Sequence, residues 1–249
     1  KMYNKGLSKM DHLVAISEYV KETIVKKYNL TANNISVINR GIDTKYFNQP
    51  VDSTRRDQVV STYQIDTAKK IILFPARMTS WKGQLEFIDV IKKMDTQNIL
   101  VLFAGDTKNS SYTNLVKDKI YQNNLTSICK ILGSVNQNEI RSLYQIADLS
   151  VSFPLRAEGF GRTISESLYS NTPVLAFDYG GVKNQLENLS DLFKVKPHDY
   201  QALPSKIETI LSLTENLKKE VLQEAKSIID KNFSKTNMLN KYLKLYESV

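Results

Sequence analysis

The chain has 249 residues, 41% of them apolar, one cysteine and a formal net charge of +8. A chain of this length can bury roughly 70–75% of its unfolded surface, its composition is that of an ordinary globular protein, and no stretch approaches the roughly 20 apolar residues of a bilayer crossing. The lone Cys129 excludes an internal disulfide and suits a reducing compartment.

No signal-peptide pattern opens the chain, so the expected location is the cytoplasm, with the excess positive charge leaving room for contact at the inner face of a membrane. The basic residues come as scattered pairs such as Lys26-Lys27, Lys69-Lys70 and Lys218-Lys219 rather than as one stripe. That pattern reads as solvated faces, and no nucleic-acid partner is expected.

In chain order, Asp11–Ile16 reads as a short apolar strand, and Ser17-Glu18 open a helix to about Lys27, ended by Asn29 and Thr31–Asn34. A strand at Ile35–Ile38 leads into the turn-rich Asn39–Asp43. From Lys70 a regular alternation sets in. Strands are expected at Ile71–Phe74, Ile99–Ala104, Ile128–Leu132, Leu149–Phe153, Val174–Phe177 and Leu192–Val195. Between them fall helices at about Gly83–Met94, Tyr112–Gln122 and Asn138–Ile146, one after Gly161 and a short one after Gly181. Alternation on this scale specifies an α/β fold, a Rossmann-like doubly wound parallel sheet.

The expected boundaries are 1–38 for a strand–helix pair too small to be a domain, 39–231 for the Rossmann-like domain and 232–249 for a C-terminal amphipathic helix. Met238, Leu239, Tyr242, Leu245 and Tyr246 form the apolar stripe of that last helix. Both ends need a surface to pack on: either an N-terminal domain outside this sequence, or the central domain itself.

The densest chemical signal is Glu158-Gly-Phe-Gly-Arg-Thr-Ile-Ser-Glu166, two carboxylates eight residues apart across a Gly-x-Gly turn that opens a helix. The N–H groups at such a helix start favour an anion. Carboxylates beside an anion site make sense when the ligand also carries hydroxyl groups, as a nucleotide sugar does. Glu166 lies past the first helical turn, so dipole complementarity explains it poorly, and a ribose-accepting role explains it better. Arg77 and Lys82, at the end of one strand and the start of the next helix, place positive charge at the same edge of the sheet.

Five segments in order carry a resemblance: Val37-Ile-x-x-Gly-Ile-Asp43, Arg77…Lys82-Gly83, Gly133-Ser-Val135, Glu158-Gly-Phe-Gly…Glu166 and Gly180-Gly181. Together they resemble the retaining glycosyltransferases of family four, which have the two-domain GT-B architecture, and the match covers nearly the whole chain. Arg77–Gln84 and Ala157–Arg162 are most similar to bacterial lipopolysaccharide-core mannosyltransferases. The chain looks like the C-terminal, donor-binding half, with residues 1–38 as the last strand–helix of the acceptor domain and the C-terminal helix packing back on that domain.

The resemblance implies sugar transfer from a nucleoside diphosphate, GDP- or UDP-linked, to a glycan or lipid-linked acceptor. It assigns Arg77 and Lys82 to the leaving diphosphate and Glu158 to the donor sugar. Backbone at Gly159, Phe160 and Gly161 would contact sugar and phosphate, with Thr163 as a phosphate ligand and Glu166 on the ribose. Gly133 and Val135 would lie against the base, although core packing explains Val135 as well.

No metal or cofactor is expected: His12 and His198 are far from Cys129 and from each other in sequence, and no Asp-x-Asp occurs. Where the family often carries an acidic residue after Gly180-Gly181, this chain has Val182-Lys183-Asn184. Lacking an acceptor domain, the isolated chain is expected to bind donor without turnover. The rival reading is a non-catalytic nucleotide-sugar-binding or docking module of a split enzyme. A dehydrogenase is excluded by Pro75-Ala76-Arg77 where a Gly-x-Gly-x-x-Gly turn would stand, and a P-loop by the missing Gly-Lys-Ser/Thr ending.

Overall fold

The computed structural model describes residue 6 and residues 10–248. Its centre is a six-stranded, all-parallel sheet in the order β5-β4-β3-β6-β7-β8. The strands are β3 (Lys70–Pro75), β4 (Ile99–Ala104), β5 (Cys129–Gly133), β6 (Leu149–Ser152), β7 (Val174–Phe177) and β8 (Lys194–Val195). A parallel sheet is covered on both faces, so its strands are apolar throughout rather than alternating. Every residue of β4 is buried.

The two faces are filled by different helices. Ile71, Leu73, Leu100 and Leu102 point to a core shared with Tyr144, Ile164, Leu168 and Ile229. These come from α6 (Gln137–Ile146), α7 (Arg162–Tyr169) and α10 (Glu215–Phe233). Ile72, Phe74, Val101 and Phe103 point the other way, onto Phe87, Ile91, Val116 and Ile207. Those belong to α4 (Gln84–Ile91), α5 (Ser110–Gln122) and α9 (Leu203–Leu211). Period-two alternation along β3 and β4 thus divides one apolar run between two cores. On the second face Phe74 meets Phe87, Phe103 and Phe153 at centroid distances of 5.4, 5.6 and 6.5 Å, each buried ring contributing about 1.5–3 kcal/mol.

The expected strands stand to within two residues at either end, the last one at half its expected length. Its Leu192-Phe193 belong to a 3₁₀ turn over Asp191–Phe193, leaving only Lys194–Val195 in the sheet. The short helix expected after Gly181 is α8 (Val182–Leu186), whereas sequence periodicity did not announce α2 (Thr44–Asn48), α3 (Ser53–Thr62), α9 or the 19-residue α10. The C-terminal helix, α11 (Lys235–Ser248), starts only after Ser234 breaks the helical run in an extended conformation.

The N-terminal segment forms its own two-stranded parallel sheet, β1 (Leu13–Ala15) with β2 (Ile35–Val37), flanked by α1 (Glu18–Tyr28). Ser17 caps α1 by accepting from Val20 N–H, and Asn29 ends it in the left-handed conformation. Two crossings of the chain are fastened side by side where this segment joins the main domain. Ile42 N–H donates to Phe233 O, and Lys235 N–H to Ile42 O, each at 2.8 Å. A Cβ on Gly41 would lie 2.5 Å from Lys235 Cα, so only glycine permits this approach. Beyond it, α11 has no buried residue, and Leu239, Leu243 and Tyr246 are exposed.

Candidate donor site

Strand order reverses direction between β3 and β6: the chain leaves β3 through α4 toward β4, and leaves β6 through α7 toward β7. Loops following two such strands diverge and leave a crevice at their carboxyl ends, where doubly wound sheets take ligands. Arg77 and Lys82 follow β3, and Glu158 to Thr163 follow β6. The sequence places its charged candidates at the one gap that the topology opens.

Both helices at this gap begin on glycines in the left-handed region, Gly83 (φ 88°) and Gly161 (φ 80°), and neither has a side-chain cap. A Cβ on Gly83 would lie 2.1 Å from Phe153 O, so glycine is what lets the loop after β3 touch the loop after β6. Across that contact Lys82 Nζ meets Glu158 Oε1 at 2.5 Å, with the two side chains 16% and 15% exposed. Lys82 Nζ also lies 4.3 Å from the centre of the Trp81 ring. The cation expected on the diphosphate and the carboxylate expected on the sugar are direct neighbours. Arg77 is exposed at the edge of the same gap, and its carbonyl accepts from the fully buried Gln84 at 3.0 Å. Gln84 in turn accepts from Tyr112 OH at 3.2 Å; that phenol is pushed up to about 12, by burial first.

The Gly159–Gly161 turn is clamped from three sides. Gln185 Nε2 donates to the carbonyls of Phe160 and Gly161 at 2.6 and 3.0 Å. Gly181 N–H donates to Glu158 O at 2.8 Å. Phe160 is buried, with its ring turned into the core 5.8 Å from Phe233. Among the described residues no protein acceptor receives the backbone N–H of Gly159, Phe160 or Gly161. Unpaired donors of this kind, beside the first N–H groups of α7, favour an anion.

Glu166, one turn into α7, pairs with Arg162 at 2.6 Å and accepts from Tyr144 OH at 3.1 Å. Thr163 lies beside the same phenol. Gly133 ends β5, two strands from the gap, where its carbonyl accepts from Gly105 N–H and an added Cβ would meet nothing within 4 Å. Val135 is partly buried against the core, as its alternative reading allowed. His12 bonds Ser36 and His198 lies among Phe177, Tyr179 and Tyr200. Among the described residues no three His, Cys, Asp or Glu side chains converge to hold a metal. No described helix is long and apolar enough to cross a membrane.

One contact was invisible in the sequence. Ser17 Oγ, which caps α1, also donates to Gly159 O at 2.6 Å, and Ile16 and Val20 lie where a Gly159 side chain would stand. The N-terminal strand–helix thus docks on the very turn that follows Glu158. Ser17→Ala is expected to cost about 1–2 kcal/mol through the lost cap, lowering Tm by roughly 2–8 °C, and to weaken ligand binding at the turn. Unchanged Tm and unchanged affinity would show that the contact is idle.

Residues 56–227 match the family described as glycosyl transferases group 1. The chain belongs to that family. Among its relatives are the trehalose synthase of Thermococcus litoralis, 26% identical over 95% of this chain and 57% of that protein. The O-antigen chain mannosyltransferase RfbU of Salmonella typhimurium is 28% identical over 86% of this chain and 56% of that protein. The chain therefore spans a little over half the length of these curated relatives. Among solved structures, a glycosyltransferase from Rickettsia africae superposes with a TM-score of 0.89 at 30% identity, over all of this chain and 67% of that one. Anabaena HepE, solved with UDP and glucose, gives a TM-score of 0.86 at 20% identity, over all of this chain and 66% of that one. The fold is that of GT-B glycosyltransferases, and this chain carries its charged residues at the switch point of its own sheet.

Proposed function

We propose that the chain is the C-terminal, donor-binding half of a retaining glycosyltransferase that moves a sugar from a nucleoside diphosphate to a glycan acceptor. The observation that carries this reading is the Lys82–Glu158 pair across the β3–β6 gap, with the unpaired N–H groups of Gly159–Gly161 on the same loop, Arg77 on the loop after β3 and the held carboxylate of Glu166 in α7. Cations and N–H donors suit a diphosphate; the two carboxylates suit the hydroxyl groups at its two ends. The UDP and glucose bound to the HepE neighbour support a nucleotide-sugar ligand. The mannosyltransferase relative supports mannose as the sugar, with a lipopolysaccharide-type glycan as acceptor.

In the proposed reaction the acceptor oxygen attacks the anomeric carbon on the face from which the diphosphate departs. The C–O bond to phosphate breaks, and the leaving phosphate oxygen takes the acceptor's proton. This route needs stabilisation of the departing charge more than it needs a protein nucleophile. Lys82, Arg77 and the start of α7 would supply it, without a metal. Glu158 would hold sugar hydroxyls, and Glu166 those of the ribose. Gly133 and Val135, at the end of β5, would border the base.

The relatives' greater length supports an acceptor-binding half outside this sequence. The exposed apolar residues of α11 and the small β1–β2–α1 unit would then pack against it. Incubation of the purified chain with labelled GDP-mannose or UDP-glucose and glycan acceptors is expected to give binding without sustained transfer. Robust transfer by this chain would overturn the division of labour. An inverted anomeric configuration in product formed with the acceptor half supplied would overturn the retaining mechanism.

A further inference from the structure

Glu166 is gripped on both oxygens, by two partners that differ in freedom. Arg162 holds Oε1 at 2.6 Å from a side chain that is 60% exposed. Tyr144 holds Oε2 at 3.1 Å from a side chain that is 1% exposed and lies under α7. Tyr144 cannot turn away: its ring packs edge-on to Phe47 at 6.3 Å, and its backbone carbonyl accepts from Thr172. Burial first, then the neighbouring Glu166, holds the phenol well above its ordinary pKa, so its proton stays in place to be donated.

A carboxylate with one fixed and one exchangeable partner has one oxygen to offer. A ligand hydroxyl arriving from the crevice can displace the exposed Arg162, whereas displacing Tyr144 would strip a fully buried hydroxyl of its carboxylate acceptor. We propose that Tyr144 is a positioning residue for the donor's ribose: it fixes the Glu166 carboxylate through Oε2 and leaves Oε1, covered by Arg162 until a ligand arrives, for the ribose hydroxyls. The inference rests on the donor-site reading of Glu166 and adds to it a residue from a different helix, 22 positions earlier.

Calorimetry with UDP, GDP and ADP and their 2′,3′-dideoxy counterparts tests it, on the wild-type chain, Tyr144→Phe and Glu166→Ala. Phenylalanine keeps the ring and its packing and removes only the hydroxyl. Tyr144→Phe is expected to weaken the preferred ribonucleotide about 3–10-fold, since a hydrogen bond to a charged group contributes only part of its gross strength, and to leave the dideoxy form unchanged. Glu166→Ala should erase the preference for ribose altogether. Equal loss on both forms would show that Tyr144 supports the fold rather than the carboxylate, and an unchanged preference would show that it does neither; each overturns the proposal. If Glu166→Ala still prefers the ribonucleotide, the ribose role of Glu166 itself falls. Absence of any nucleotide binding by the wild type removes both readings.

Discussion

Glu158→Gln is expected to strengthen binding of the bare nucleoside diphosphate while weakening binding of the corresponding nucleotide sugar. The opposite signs follow from the 2.5 Å contact between Glu158 and Lys82. In the free chain the carboxylate occupies the cation that a diphosphate would use, and it repels any phosphate that approaches. Neutralising it frees Lys82 for the diphosphate, yet removes an acceptor for the sugar's hydroxyls. Lys82→Met should weaken both ligands. A unit charge pair at about 4 Å is worth up to ~4 kcal/mol at an effective dielectric of 20, an upper bound of two to three decades in affinity. Because Lys82 must exchange one anion for another, the expected loss is roughly 10–100-fold. Either single change also strands a partly buried charge, which costs up to about 3–5 kcal/mol where burial is complete. The double variant should therefore be more stable than the sum of the single losses. Titrations with UDP, GDP and their sugar conjugates, beside thermal melts of all four proteins, read both effects. If the two single variants weaken both ligands equally, the pair is structural and the assignment of Glu158 to the sugar is wrong.

Gly181→Ala is expected to abolish nucleotide-sugar binding while leaving the sheet folded. Gly181 has an ordinary helical backbone, so conformational freedom is not the reason for glycine. Space is: a Cβ there would lie 2.1 Å from Gly159 O and 2.4 Å from Gly159 C, both backbone atoms. The turn would have to move, and with it the Gly159 carbonyl that Ser17 holds and the adjoining Glu158. Overpacking of this kind costs roughly 1–3 kcal/mol, or about 2–12 °C in Tm for a chain of this size. Affinity should fall further than stability, because the displaced segment is the site. Far- and near-ultraviolet circular dichroism with a parallel titration separates the two. Wild-type affinity in this variant would mean that the Glu158–Gly161 turn has no part in binding.

Much of this arrangement was legible in the residues. Apolar runs such as Ile99–Ala104 and Val174–Phe177 sit as strands with the expected ends, since a strand covered on both faces leaves no polar positions to confuse its limits. The start of α7 was legible too, because Gly161 can take the left-handed turn that opens it. Helix α10 was hidden. Its buried residues are only Leu222, Ala225, Ile229 and Phe233, a narrow stripe among lysines and glutamates. Its end is marked by neither glycine nor proline, so Asn232 and Phe233 fell within the expected C-terminal helix. Contacts between distant residues were hidden for a simpler reason. Ser17 and Gly159 are 142 residues apart, Lys82 and Glu158 76, and no local pattern encodes which loops the sheet order will bring together. Nothing in the expected helix over Asn138–Ile146 singles out Tyr144; only its buried hydroxyl, facing Glu166, sets it apart.

On the proposed reading, the β3–β6 gap binds a nucleoside diphosphate through this chain's own cations and carboxylates. Calorimetric titration of UDP, GDP and ADP into the wild-type chain, Arg77→Ala and Glu166→Ala, each with EDTA and with magnesium, tests it most directly. Selective binding of one base, equal with and without the metal and weakened at least about tenfold by each substitution, roughly the 1.4 kcal/mol of one charged contact, is the predicted result. Binding that ignores both substitutions, or no binding at all, would contradict it.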